Sequence, residues 1–223
     1  RQDLNVLATE LPARHLDLFA HLSRADFDAA VQRLDAAIPT LKDPEIVVEL
    51  MRLSAMAGDG HTWANPQVAP FYAGWRFFPL KLYWYPDGLR VVRTDMANAG
   101  LQGHRVVQIG GLPIEAVERL VTPLVSHEND NWVRARSPLM LVSLEILQAL
   151  KVLPDGAAGR FVLEGPDGGR VTADLEAKSL AEVGPVFATL PAPAPAPLSL
   201  RHPDLNYWYE YLGVQGVVGK MAE

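Results

Sequence analysis

A chain of 223 residues with 49% apolar side chains can build one to three cores of ordinary size, which excludes wholesale disorder. Its 20 Lys and Arg stand against 26 Asp and Glu, a formal charge of −6, so no nucleic acid partner is expected. No apolar run reaches the roughly 18 to 20 residues of a membrane span, and zero cysteines exclude thiolate metal clusters, cysteine nucleophiles and disulfide frameworks.

The first 60 residues read as helices. Leu4, Leu7 and Leu11, followed by His15 and Leu18, fall at three- and four-residue spacing, with Pro12 expected at a kink or at the start of a second short helix. Ser23 and Asp26 form a capping box ahead of Phe27, Val31, Leu34 and Ile38, and Pro39 ends that helix. Asp43 is expected to cap a third helix, with Pro44 at its first position, Ile46, Leu50, Leu53 and Met56 on one face, and Gly58 as its stop.

From Phe77 the pattern changes to strands. Phe78 to Tyr85 alternates around aromatic residues, Pro86-Asp87-Gly88 is turn chemistry, and Leu89 to Arg93 completes a hairpin. Arg105 to Ile109 is a strand stopped by Gly110-Gly111, and Pro113 opens a helix over Ile114 to Val121. Helical character returns from Asn131 to Leu153, with Asp130 or Asn131 as the cap. Arg160 to Glu164 and Arg170 to Leu175 make a second hairpin. Leu190 to Leu198 alternates proline too densely for helix or interior strand and predicts an extended linker, followed by an aromatic strand over Leu205 to Leu212.

The predicted fold class is therefore α+β. A helical N-terminal module covers residues 1–70, a β module with a helical insertion near 122–155 covers 71–176, a Pro-rich linker covers 177–205, and 206–223 begin a further domain. A start at Arg1 rather than Met is expected either from a cleaved leader, which would fit a periplasmic or secreted protein, or from a sequence that is a piece of a longer chain. The unpaired aromatic strand near the end is expected to pair with a sheet edge or bury in a groove, either of its own chain or of a second copy by exchange, which would make a homodimer.

Three features in order resemble the N-terminal part of the C-terminal processing peptidases, the tail-specific serine protease family. Gly58-Asp59-Gly60-His61-Thr62 follows a helical bundle. A PDZ-like order of elements then runs through Asp87-Gly88, Ala99-Gly100-Leu101, Arg105 to Gly111 and Pro113-Ile114-Glu115. Asn206 to Tyr211 looks like the strand that opens a catalytic domain. The resemblance implies the recognition and gating half of a serine endopeptidase, acting on unfolded or C-terminal peptide segments without a cofactor. It also implies a nucleophilic serine in an α/β domain after Tyr211. No Gly-x-Ser-x-Gly occurs in the 223 residues, so the chain by itself is expected to be inactive. The alternative is a stand-alone peptide-binding or scaffold protein.

Two groups of residues are candidates for a site. His61 is the catalytic candidate, since some branches of the larger protease clan take their base from this region; equally, Asp59, His61 and Thr62 could simply tie a helix end to the next segment. Phe78, Leu80 and Leu82 are the peptide-binding candidates, on a strand to which a peptide would add opposite the helix Ile114 to Val121. Against that, Pro79 removes one donor and no glycine-rich carboxylate loop is present, which leaves a spacer role open. The run Ser126 to Asn131 holds one histidine among neighbours that diverge in direction, and no metal site is expected there.

Overall fold

Three apolar stripes open the chain, the second and third of them capped, and they form three helices. The structure, a computed structural model, describes residues 1–64 and 74–188. Helix α1 (Gln2–Arg14) is continuous: Pro12 falls in its last turn, where it costs one hydrogen bond, so no second helix starts there. Helix α2 (Arg24–Ala37) begins where Ser23 Oγ accepts the Asp26 N–H at 3.0 Å and donates to the Asp26 carboxylate at 2.6 Å. Helix α3 (Asp43–Ala55) starts one residue earlier than expected: Lys42 is its cap, and the Glu45 carboxylate accepts the Lys42 N–H at 2.7 Å.

α3 is apolar on two sides. Leu53, with Leu50 and Met56 packed beside it, joins Leu4 and Leu34 in a small cluster with α1 and α2. Val48 and Met51 point the other way, into the main core, and both are essentially inaccessible. The sequence stripe through Ile46, Leu50 and Leu53 captured only the first of these faces.

The main core lies under an antiparallel sheet. After a short β1 (Arg76–Phe77) come β2 (Leu80–Tyr85) and β3 (Gly88–Thr94), a hairpin closed by Pro86-Asp87 with Tyr85 opposite Gly88. β4 (Arg105–Ile109) turns through Gly110-Gly111 into β5 (Leu112–Pro113). Gly110 has φ +60°, and a Cβ there would lie 2.0 Å from the Val152 carbonyl oxygen, so only glycine fits. Helices α4 (Ile114–Val121), α5 (Asp130–Met140) and α6 (Leu144–Ala149) precede the hairpin of β6 (Ala158–Glu164) and β7 (Arg170–Glu176). The strand order is β2-β3-β4-β6-β7, with β5 on β4. Phe78 meets Phe161 edge-on at 5.0 Å under this sheet, and α4 adds Ile114, Val117 and Val121 to the same core.

Two differences from the sequence reading have local causes. Asn129, not Asp130 or Asn131, caps α5, its Oδ1 accepting the Asn131 N–H at 3.0 Å. Residues Lys178–Ser179 and Leu180–Ala188, assigned by the sequence to the linker, form β8, which pairs with β1, and helix α7. The Glu182 carboxylate accepts both the Ser179 N–H at 3.0 Å and the Ser179 hydroxyl at 2.6 Å, and Val183 and Val186 are buried. The Pro-rich run and the aromatic strand Leu205 to Leu212 lie outside the described residues.

Helices packed beside and beneath an antiparallel sheet make this an α+β fold. Among the described residues no helix is long and apolar enough to cross a membrane.

Candidate functional site

α3 stops at a glycine because the chain must reverse. Gly58, at φ +71°, allows the turn, and the Asp59 N–H then donates to the buried Ser126 Oγ at 3.1 Å. Asp59 folds the turn back on itself: its Oδ1 accepts the N–H groups of His61 at 2.7 Å and Thr62 at 2.8 Å. Its Oδ2 lies 2.9 Å from His15 Nε2, which ties the end of α1 to the same turn. Burial is the largest single influence on this carboxyl and opposes its ionisation. The hydrogen bonds from His15, Thr62 and the His61 amide together outweigh burial and hold Asp59 well below the usual carboxylate range.

His61 is exposed at the tip of this turn, its ring edge-on to Trp132 with centroids 6.0 Å apart. Asp59 meets it through the backbone amide. Glu128 completes the neighbourhood: Asp59, His61 and Glu128 each present a ligand atom within 4.8 Å of the others, a spacing that could accept a divalent cation. Asp59 already accepts three hydrogen bonds, and that gives the cluster a turn-closing role of its own. The rest of the polar run is structural: His127 Nδ1 sits 2.6 Å from the Val125 carbonyl, and Asn129 caps α5.

Gly60 is pinned between the turn and α5. A Cβ on it would lie 2.4 Å from Trp132 Cε2, so the indole packs directly on the backbone. One helical turn further along α5, the Arg136 Nη2 donates to the Gly60 carbonyl at 2.8 Å. The Arg136 guanidinium is stacked between two indoles, 3.6 Å from the Trp63 ring centroid and 4.6 Å from that of Trp132. Burial lowers the pKa of Arg136, with Glu128 acting in the opposite sense.

This arrangement forms one end of a cleft of about 290 Å³ between β2 and α5. Leu80, Lys81 and Leu82 line one wall, Ala135, Arg136, Pro138 and Leu139 the other, and Trp63, Val142 and Phe187 close it. Trp84 Nε1 donates to Ser137 Oγ at 3.0 Å and fixes the distance between strand and helix. Lys81 reaches across to the Phe187 carbonyl at 2.9 Å; burial, with Arg93 nearby, lowers its pKa. On the side of β2 away from β3, no strand pairs with it among the described residues.

Of the residues singled out in the sequence, Leu80 and Leu82 line this cleft and His61 stands near its end, on the same turn as Gly60. Phe78 does not line it: its ring packs against Phe161 in the core, and Leu80 and Leu82, though they border the cleft, are themselves buried. The helix across from β2 is α5; Ile114 to Val121 packs on β4 and β5, because its apolar face is spent on the sheet core. Trp63, Lys81, Arg136 and Phe187 were not anticipated. One signal for them existed: Trp132 and Arg136 stand four apart on a helix, a spacing that stacks a guanidinium on an indole.

No protein-family description matches the chain, and no curated protein matches it in sequence. Its fold is distantly like that of a serine protease. Three similar solved structures are of CPAF, a chlamydial serine protease. A serine-to-alanine mutant of CPAF gives a TM-score of 0.55 at 14% identity, over 80% of this chain and 33% of that one. Mature CPAF complexed with lactacystin gives 0.52 at 14% identity, over 82% and 37%. Mature CPAF by itself gives 0.51 at 17% identity, over 82% and 36%. The chain thus spans about a third of the length of the proteins it resembles, and at these identities the likeness is one of fold.

Proposed function

We propose that the chain is the substrate-recognition and gating part of a serine endopeptidase of the tail-specific type. In this reading its sheet is a PDZ-like module that takes an extended, unfolded or C-terminal peptide segment along β2, in a periplasmic or secreted setting. The observation that carries the reading is the continuity of cleft and turn: Arg136 lines the cleft beside Leu80 and Leu82 and holds the carbonyl of Gly60, next to His61. A strand edge with an apolar wall opposite offers backbone hydrogen bonds for affinity and a pocket for side-chain preference. His61 would then stand as the base of an active site whose nucleophile comes from outside the described residues. The fold likeness to CPAF supports a protease-related role.

Hydrogen exchange tests the binding step. With a saturating unstructured peptide, the amides of Leu80 to Tyr85 are expected to gain protection relative to those of β7, the other edge of the sheet. Equal protection factors with and without peptide throughout β2 would overturn the reading. A peptide-binding scaffold shares the cleft but has no use for His61. In a protein carrying the nucleophile, His61→Ala abolishes turnover only in the peptidase reading.

A further inference from the structure

The turn after α3 and the loop before α5 bring together three metal-ligating side chains that the sequence keeps apart. Asp59, His61 and Glu128 each present a ligand atom within 4.8 Å of the other two, and among the described residues they are the one group of three or more such side chains that does so. Neighbours within Ser126 to Asn131 diverge and make no site among themselves; Glu128 instead finds its companions on a different segment. Tetrahedral ligation at about 2.1 Å puts ligand atoms about 3.4 Å apart. The two most separated groups therefore need to approach by about 1.4 Å at most, which rotation of an exposed side chain supplies, and both His61 and Glu128 are exposed. Neither side chain is otherwise engaged in a hydrogen bond or ion pair among the described residues; the His61 ring only meets Trp132 edge-on. Asp59 is the fixed member. The amides of His61 and Thr62 and the His15 ring set its direction, as outer partners do for a ligating carboxylate.

We propose that Asp59, His61 and Glu128 bind one divalent cation of the zinc type, and that filling this site takes His61 out of service as a base. The donor set chooses the class of ion. An imidazole with two carboxylates suits zinc and its transition-metal neighbours, whereas magnesium and calcium prefer oxygen alone. With no cysteine in the chain, no thiolate site competes for such an ion. Two carboxylates also outweigh the single guanidinium of Arg136 that acts on Glu128 through space, so the cluster attracts a cation. Three protein ligands leave the remaining positions to water. A neutral imidazole has one free lone pair, and a bound cation and an incoming proton compete for it. The loss of the base rests on the peptidase reading of His61; the cation site itself does not.

Zinc chloride titrated into the full chain by calorimetry is expected to fill one site per chain, with magnesium and calcium chloride at least about tenfold weaker. The imidazole resonances of His61 should shift on zinc addition while those of His21 stay in place. Loss of an outer partner of a metal site typically costs about 10- to 100-fold in affinity, and loss of a ligand costs no less. His61→Ala and Glu128→Gln are therefore each expected to weaken zinc at least about tenfold, and His21→Ala to leave it unchanged. Both ligand substitutions fall on exposed side chains, so the fold is retained and either variant serves alone. Absence of zinc binding, binding that survives both substitutions, or magnesium and calcium binding as tightly as zinc overturns the site. In a protein carrying the nucleophile, zinc is expected to suppress turnover and a chelator to restore it, with Glu128→Gln needing at least about tenfold more zinc for the same loss. Zinc bound at His61 with turnover unimpaired overturns the reading of His61 as the base and leaves the cation site standing.

Discussion

Asp59 shows how a residue read as part of a catalytic motif can earn its place by geometry alone. Its carboxylate closes the turn to His61 and Thr62 and ties that turn to α1 through His15. Burial resists its ionisation, but the hydrogen bonds outweigh burial and its folded pKa is depressed. A depressed folded value means that the stabilisation is complete above the ordinary carboxylate range and is lost as pH falls from there towards the folded pKa. Asp59→Asn keeps one acceptor for the two amides and loses the charge opposite His15. It is expected to cost about 1 kcal/mol near neutral pH, by urea unfolding. The gap between wild type and variant should narrow as pH is lowered to about 3, since the wild type alone loses this contribution. A gap that stays constant over that range would show that the charge of Asp59 does not matter to stability.

Among the elements, α3 carries more of the architecture than any other helix, because it serves two cores. Leu53 packs with Leu4 and Leu34 towards α1 and α2, while Val48 and Met51 pack into the core under the sheet. The helical N-terminus is therefore bonded to the sheet through the back of a single helix. Met51 is fully buried, so Met51→Ala leaves a cavity in the main core and is expected to cost about 2–5 kcal/mol. Because both cores share this helix, tryptophan fluorescence and far-UV circular dichroism should shift together in denaturant. Two separated transitions would mean that the helices unfold independently of the sheet.

For the whole molecule, the fold likeness to CPAF and the chemistry of the chain say different things. The fold is distantly like part of CPAF, and the sequence spans about a third of those chains. None of its serines stands in a Gly-x-Ser-x-Gly turn. Ser126, Ser137 and Ser143 are fully buried; Ser126 Oγ accepts the Asp59 N–H and Ser137 Oγ accepts from Trp84 Nε1. We therefore expect a fluorophosphonate probe to leave the 223-residue chain unlabelled, because binding groups without an activated nucleophile give no covalent intermediate. Stoichiometric labelling at a single serine would locate a nucleophile that the sequence conceals.

The sequence by itself determined what depends on neighbours along the chain. The Ser23 cap, the Pro86-Asp87 hairpin, the Gly110-Gly111 stop and the hairpin of β6 and β7 all hold, because capping and turn chemistry act over two to four residues. The Gly58-to-Thr62 segment was legible as a turn with a carboxylate at its centre for the same reason. The second face of α3 was not, since a helix apolar on two sides shows one stripe as well as another. Nor was the Ser179–Glu182 pair that opens α7, which the prolines that follow it obscured. Only the tertiary structure decided that α5 rather than α4 faces β2, that His15 reaches Asp59 across 44 residues, and that Arg136 lies between Trp63 and Trp132 while holding Gly60. Those contacts join parts of the chain that no local rule connects; with α4 packed on β4 and β5, α5 is the helix that faces β2.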